Sequence, residues 1–187
     1  MHRKESCRRA IPPLGANQTW ARRGPRRHLA FLIPPKQKYL FVLNELHSTV
    51  TTFARDTRMG SLRELQTLST LPNDFKGENT GADVHVSSDG RFLYSSNRGH
   101  DSIACFKIDP RAGSADFRGA RIGRREDAAQ CFAIRSDGRR FAGGKSKLGL
   151  NIVRLRRDQE TGRLSSARDM SPTRASPVCL QFTTPFG

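Results

Sequence analysis

The sequence predicts an all-β fold made of small antiparallel sheets stacked side by side, and three observations predict it. Short strand-like runs recur between glycine turns along the central part of the chain. The run–turn–run pattern repeats: aligning Asp89-Gly90 with Asp137-Gly138 gives a period of 48, and aligning Asn44 with Asn97 gives 53. No long helical pattern with proper caps occurs anywhere. Several short strands at such a period indicate radial or solenoidal stacking, in which each unit needs a neighbour to bury its faces.

The first copy begins with Tyr39–Leu43, an apolar run bounded by the charged "PPKQK". Thr49–Phe53 follows, rich in β-branched residues; both runs have ordinary strand length. Gly60 marks a turn before a strand over Leu62–Leu68. Leucines at 62, 65 and 68 recur every three and also fit a helix, but the repeat context favours the strand. In the second copy Asp83–Val86 alternates, "SSDG" supplies a turn with Gly90 free to take positive φ, and strands are expected over Phe92–Ser96 and Ile103–Ile108. The third copy, "CFAIRSDGRRFAGG" and "NIVRLRRDQETGRLSSA", keeps the rhythm and a tight turn at Gly162. Its middle strand is weak. Arg139, Arg140, Gly143, Gly144, Lys145 and Lys147 stand where an apolar run belongs, and glycine and charge weaken a central strand.

The chain has 187 residues, for which one domain is the default. Its formal net charge of +16 invites a polyanionic partner. The excess sits at the ends, however. Residues 1–28 hold eight Lys/Arg against one acid, residues 29–120 eleven against ten, and residues 121–168 thirteen against five. Aromatic interleaving of the kind used by single-strand binders is missing: Trp20 is isolated and Phe141 is alone in its stretch, so nucleic acid is disfavoured as a partner. Cys7, Cys105, Cys131 and Cys179 make no CxxC pair and no dense disulfide framework; reduced thiols in a cytoplasmic protein are the expectation. No apolar run reaches membrane-spanning length, so no membrane partner is expected. The basic N-terminus lacks the apolar stretch of a secretory signal, and adjacent Pro12 and Pro13 count against an organelle presequence. "GGKSKLG" has a Gly-Lys-Ser order but not the spacing of a phosphate loop. No metal site and no cofactor are expected.

The stretches "GPRRHLAF", "YLFVLNELHSTV", "LPNDFKGENTGADVHVSSDGRFLYSSNRGHDSIACFKIDP" and "SPVCLQF" together resemble the lactonase family of seven-bladed β-propellers. The likeness is dense from Arg27 to Pro110, patchy from Cys131 to Ala167, and returns at Ser176–Phe182; the first 24 residues look unrelated. The resemblance implies a partial β-propeller of three blades, at about 28–80, 81–125 and 126–182, behind a basic tail over 1–27. It also implies that four further blades are absent and that two blade faces are open, so self-association is expected.

The resemblance further implies site residues at one mouth of the propeller channel. His28 lies in "PRRH", where the family has "PRH" and an arginine is inserted or shifted. Glu45 ends the "NEL" strand, His85 lies in "DVHV" where the family usually has Glu in place of Asp83, and Arg98 lies in "NRG". These four are the catalytic candidates. Lactone hydrolysis needs a base to activate water and a cation to steady the oxyanion, and arginine also grips phosphate in bidentate fashion. Asn44, Glu78, Asn79, Asn97 and His100 are the substrate-binding candidates, Glu78 and Asn79 lying in a long loop of the kind that lines binding sites. The residues also allow blander roles: an ion pair for Glu45, a turn for Arg98, turn-capping for His100 and Asp101. The implied activity is hydrolysis of a sugar lactone such as 6-phosphogluconolactone, weakened or lost in so short a chain. The alternatives are a non-catalytic propeller fragment and a carboxymuconate cyclase-like isomerase.

Overall fold

The computed structural model describes residues 26–31, 38–122, 131–135, 137, 140–144, 151–172 and 180–182. They form strands and turns without a helix. The first sheet runs β1 (Arg26–Phe31), β2 (Tyr39–Asn44), β3 (Thr49–Arg55), β4 (Leu62–Ser69) in spatial order. The second runs β5 (Thr80–Val86), β6 (Phe92–Arg98), β7 (Ser102–Ile108), β8 (Ala115–Ile122). The third runs β9 (Cys131–Ile134), β10 (Arg140–Gly144), β11 (Asn151–Arg157), β12 (Leu164–Pro172). Every pairing is antiparallel. The first strands of successive sheets contact one another, β1 with β5 and β5 with β9. This is the arrangement of propeller blades around an axis.

The core lies in the seams between sheets. Tyr39, Phe41, Leu43 and Val50 of the first sheet meet Val84, Leu93, Ala104 and Phe106 of the second. On its other face the second sheet sends Phe92, Tyr94, Ile103 and Cys105 against Phe132, Val153 and Leu155 of the third. Strand alternation makes this possible, since successive side chains of β6 and β7 serve opposite neighbours. Burying a side chain of this size is worth about 1.5–3 kcal/mol.

One turn is built three times. Asp56, Asp109 and Asp158 each close a hairpin four residues before a glycine. Each carboxylate accepts N–H groups two and three residues on: Arg58 and Met59 at 2.7 and 2.9 Å, Arg111 and Ala112 at 2.7 and 3.1 Å, Glu160 and Thr161 at 2.9 and 2.7 Å. The glycine then turns with φ of 71°, 71° and 72° at Gly60, Gly113 and Gly162, a conformation costly for side chains other than glycine. Two of these turns also close a seam. A Cβ on Gly113 would stand 2.2 Å from the Tyr39 ring, and one on Gly162 would stand 2.3 Å from Phe92. Tyr39 and Phe92 open β2 and β6, so the first and second sheets each lay an aromatic ring on the turn glycine of the next. Hydrogen bonds follow the same route, from Tyr39 Oη to the Arg111 carbonyl at 2.5 Å and from Tyr94 Oη to the Gly162 carbonyl at 2.7 Å.

The structure departs from the sequence expectations in places. β8 carries alternating charge and a glycine, and forms by pairing with β7 rather than by apolar patterning. β10 forms although glycines end it, because β9 and β11 hydrogen-bond it on both sides. The extra arginine of "PRRH" is an irregularity in β1: the register shifts between Arg26 and His28, as at a β-bulge. β4, by contrast, is the strand that the repeat context favoured over a helix. The N-terminal tail through residue 25, the "LIPPKQ" turn, "KSKLGL" after β10, and both Cys7 and Cys179 lie outside the described residues.

Gly162→Ala is expected to cost about 1 kcal/mol of backbone strain plus about 1–3 kcal/mol of overpacking against Phe92. Gly60→Ala is expected to cost only the first, since nothing lies within 4 Å of its Cβ position. Urea midpoints of the two variants decide it, and equal losses would refute the ring-on-glycine seam. The N–H donors of Met59 and Arg58, of Arg111 and Ala112, and of Thr161 hold Asp56, Asp109 and Asp158 below the ordinary carboxylate value. Groups depressed on folding add stability above their unfolded value, and that stability is lost as pH falls through the folded value. Stability is therefore expected to fall below about pH 4, and less steeply in Asp109→Asn, as read by urea unfolding across pH.

Candidate functional site

Hairpin connectivity gathers the β2–β3 turn, the β4–β5 connection and the β6–β7 turn on one rim. There Arg98, at the end of β6, faces Glu45, just past β2. Their Nη1 and Oε1 lie 3.5 Å apart, and the side chains are 25% and 18% exposed. The ion pair thus bridges the first and second sheets. The Glu45 carbonyl accepts the Gly81 N–H at 2.8 Å, which ties the same turn to the start of β5. Arg98 Nε is buried and has no hydrogen-bond partner. A buried donor left unpaired costs about 1–3 kcal/mol; the part of this guanidinium that an incoming acceptor can reach is the exposed quarter of the side chain.

Behind the pair lies a polar network. Asn97 is fully buried. Its Nδ2 donates to the Thr70 carbonyl at 2.9 Å and to Ser102 Oγ at 3.2 Å, and its Oδ1 accepts from Thr70 Oγ1 at 2.7 Å and Asn79 Nδ2 at 3.1 Å. Asn79 Nδ2 also reaches Ser48 Oγ at 2.8 Å, and Asn79 Oδ1 accepts the His100 N–H at 3.0 Å. His100 Nδ1 shares a hydrogen bond with Ser102 Oγ at 2.7 Å, and its ring meets Phe75 edge-on at 4.6 Å. Asn44 is the counterpart of Asn97 in the first sheet: its Nδ2 donates to Thr49 and Thr51, and its buried Oδ1 has no partner. Gly99 is required where it stands. Its φ is 117°, and a Cβ would come within 2.2 Å of the Glu78 carbonyl oxygen.

The nine candidates therefore separate. Glu45 and Arg98 are together. Asn79, Asn97 and His100 are occupied by protein partners, which suits them to hold the rim rather than to meet a ligand. Asn44 keeps one acceptor free, and Glu78 is exposed on the β4–β5 connection. His28 lies in β1 opposite Leu43, and its side chain lies outside the described residues. His85 sits elsewhere, four residues along β5 from Gly81, or about 13 Å at roughly 3.3 Å per residue. Its Nε2 is 3.1 Å from Asp83 Oδ2, and its ring meets Phe132 of the third sheet edge-on at 4.7 Å.

Some participants are not legible from residue type alone. Ser48 and Thr70 are buried hubs, Ser48 with φ of 52°, and their partners lie 22 to 31 residues away. Asp83 stood out in sequence only as a departure from the family's Glu, although an Asp and a His two apart on one strand share a face. Asp89, read from sequence as part of a turn, also pairs with Arg157 across the second seam, where that guanidinium stacks 5.1 Å above the Phe92 ring.

Among the described residues no three His, Cys, Asp or Glu side chains converge as metal ligands. No helix of the described residues is long and apolar enough to cross a membrane. Cys105 and Cys131 are buried, and neither is in a disulfide. Burial, the largest influence, pushes the Cys105 thiol up to about 11, which makes it unreactive near neutral pH. A surface hollow of about 480 Å³ lined by Lys107, Asp109, Arg111 and Asp116 lies at the β7–β8 turn, the opposite end of the sheet from Arg98.

The family model "Lactonase, 7-bladed beta-propeller" matches residues 9–182, so the likeness begins within the tail that the sequence reading left as unrelated. The chain is 36% identical over 162 residues to the 6-phosphogluconolactonase of Bacillus subtilis, covering 85% of this chain and 44% of that protein. With the 6-phosphogluconolactonase of Serratia proteamaculans it shares 33% over 144 residues, 76% of this chain and 41% of the other. The structure of the periplasmic gluconolactonase of Pseudomonas aeruginosa superposes with a TM-score of 0.78 at 28% identity, over 87% of this chain and 43% of that one. The chain thus spans less than half the length of the relatives it matches.

Asn97→Ala leaves several buried groups without partners and is expected to cost about 2–4 kcal/mol. Glu78→Ala, on the exposed connection, is expected to stay within about 0.5 kcal/mol. Urea unfolding of both variants decides between a structural hub and an incidental contact.

Proposed function

The chain belongs to the lactonase family of seven-bladed β-propellers, and from that premise we propose that it carries part of a site for hydrolysis of an anionic sugar lactone. The observation that carries the reading is the Arg98–Glu45 pair, with Arg98 Nε buried and unpaired on the rim. In this reading Arg98 grips a phosphate or carboxylate of the substrate. Glu45 faces Arg98 and orients it. His85, lying farther along β5 with its side chain 42% exposed, takes a proton from the attacking water. 6-Phosphogluconolactone has the matching chemistry, with an anion at one end and a ring ester at the other, and relatives named 6-phosphogluconolactonase support that choice. The rim network of Asn97, Asn79, Thr70 and Ser48 holds the three connections in place.

The proposed rate is low. Catalysis depends on groups held close to their productive geometry, and this chain spans 44% of the Bacillus subtilis relative. That same observation, with the separation of His85 from Arg98, favours a second reading, in which the chain binds the anion without turning it over. A cytoplasmic location and self-association through a sheet face belong to the same proposal.

The test is 6-phosphogluconolactone hydrolysis by the purified chain, measured against the spontaneous rate. A rate above spontaneous is expected, with KM raised about tenfold or more in Arg98→Ala and kcat lowered about a hundredfold in His85→Gln. A rate equal to the spontaneous one, with phosphate binding that is lost in Arg98→Ala, would select the binding-only reading. Activity unchanged in both variants would overturn the residue roles.

A further inference from the structure

We infer that Asp83 is the positioning residue of His85: it fixes the imidazole as the Nε2–H tautomer and leaves Nδ1 as the proton acceptor. As a catalytic device this rests on the lactone-hydrolysis reading, although the tautomer can be read without it.

The geometry starts from β5. Asp83 and His85 are two residues apart, and a register irregularity between Gly81 and Val84 re-aims this part of the strand. Asp83 is buried, and its oxygens are occupied. Oδ1 accepts the Val84 N–H at 2.9 Å. Oδ2 accepts the Phe132 N–H at 3.2 Å and lies 3.1 Å from His85 Nε2. Two backbone donors aimed at a carboxyl group favour its ionised form. An ionised carboxylate only accepts, so the hydrogen of a neutral His85 belongs on Nε2. The Phe132 ring, edge-on at 4.7 Å and 74°, limits rotation of the imidazole. Among the described residues none hydrogen-bonds Nδ1, and the side chain is 42% exposed.

Two of these restraints come from the third sheet, the Phe132 N–H and its ring. The orientation of His85 therefore depends on β9 docking against β5. In the reaction a water O–H gives its proton to Nδ1 as the water oxygen bonds to the lactone carbonyl carbon. The tetrahedral oxyanion then collapses, the bond from that carbon to the ring oxygen breaks, and the departing alkoxide takes the proton back from Nδ1. The products are the open hydroxy acid and the original Nε2–H imidazole, with no oxidant or further reactant. Asp83 touches none of the reacting atoms; its part is to hold the imidazole and to balance the imidazolium that forms.

The experiment is two-bond ¹H–¹⁵N correlation spectroscopy of the whole ¹⁵N-labelled chain at about pH 8.5, above the ordinary histidine range. The His85 signals are assigned by their loss in His85→Gln. The parent is expected to show the Nε2–H pattern alone. In Asp83→Asn the amide can donate to Nε2, so that pattern is expected to be lost, and Asp83→Glu is expected to restore it. A parent with Nδ1–H or averaged tautomers overturns the inference, as does an Asp83→Asn spectrum unchanged from the parent. Should Asp83→Asn fail to fold, the parent spectrum alone decides. The lactone assay separates the two claims. A chain with no rate above spontaneous but with the Nε2–H tautomer overturns the hydrolysis reading and keeps Asp83 as a positioning residue. An active chain with averaged tautomers overturns the inference and keeps the activity.

Discussion

An aromatic ring lying on a turn glycine is the contact on which the rest of this structure depends. Tyr39 on Gly113 and Phe92 on Gly162 fix how close one sheet comes to the next. No side chain fits between ring and backbone, so the sheets meet at the glycine or do not meet closely at all. The Asp that opens each turn supplies the acceptor for its N–H groups, and the glycine supplies the left-handed conformation. The apolar seams then close behind the contact. A four-stranded sheet of this size buries too little by itself, so its stability comes from its neighbours.

The polar rim uses the same seams differently. Glu45 and Arg98 face each other across the first seam, and Asp83 and His85 meet Phe132 across the second. The second sheet therefore supplies Arg98 to one seam and His85 to the other, and the spacing between these groups follows from how the sheets stack. Asn97 carries much of the burden. Its four hydrogen bonds connect the β4 end, the β4–β5 connection and the start of β7, so one side chain ties three parts of the rim together.

Much of the fold was legible because local rules and global packing agree. Positive φ at Gly60, Gly90 and Gly162 follows from glycine in a tight turn, and those turns set the strand boundaries. β8 and β10 were not legible, since their stability comes from backbone pairing with flanking strands and leaves no apolar pattern. The site was legible in residue type more than in role. Glu45, His85 and Arg98 stood out as chemically able groups, yet nothing in their spacing says that Arg98 meets Glu45, and the spacing of Asp83 and His85 gives a shared strand face but no role. Asn79, Asn97 and His100 looked like ligand contacts because exposed amides and imidazoles in loops often are. Their partners lie far along the chain, and only the fold shows that these side chains are already engaged.

The position four residues before each turn aspartate tells a different story in each sheet. Thr52 and Cys105 occupy it in the first two sheets, and both are buried. In the third it is Arg154, which is exposed, followed two residues later by exposed Arg156. Val153 and Leu155, between and beside them, face the second sheet. Along β11 the far face of the third sheet therefore carries guanidinium where the same position in the first two sheets is small and buried. Covering it with a sheet of the same design would take exposed guanidinium groups out of water, which is costly unless acceptors come with the covering sheet. A neighbour packed on that face would therefore need acceptors for Arg154 and Arg156, so the third sheet sets a chemical requirement on whatever covers it.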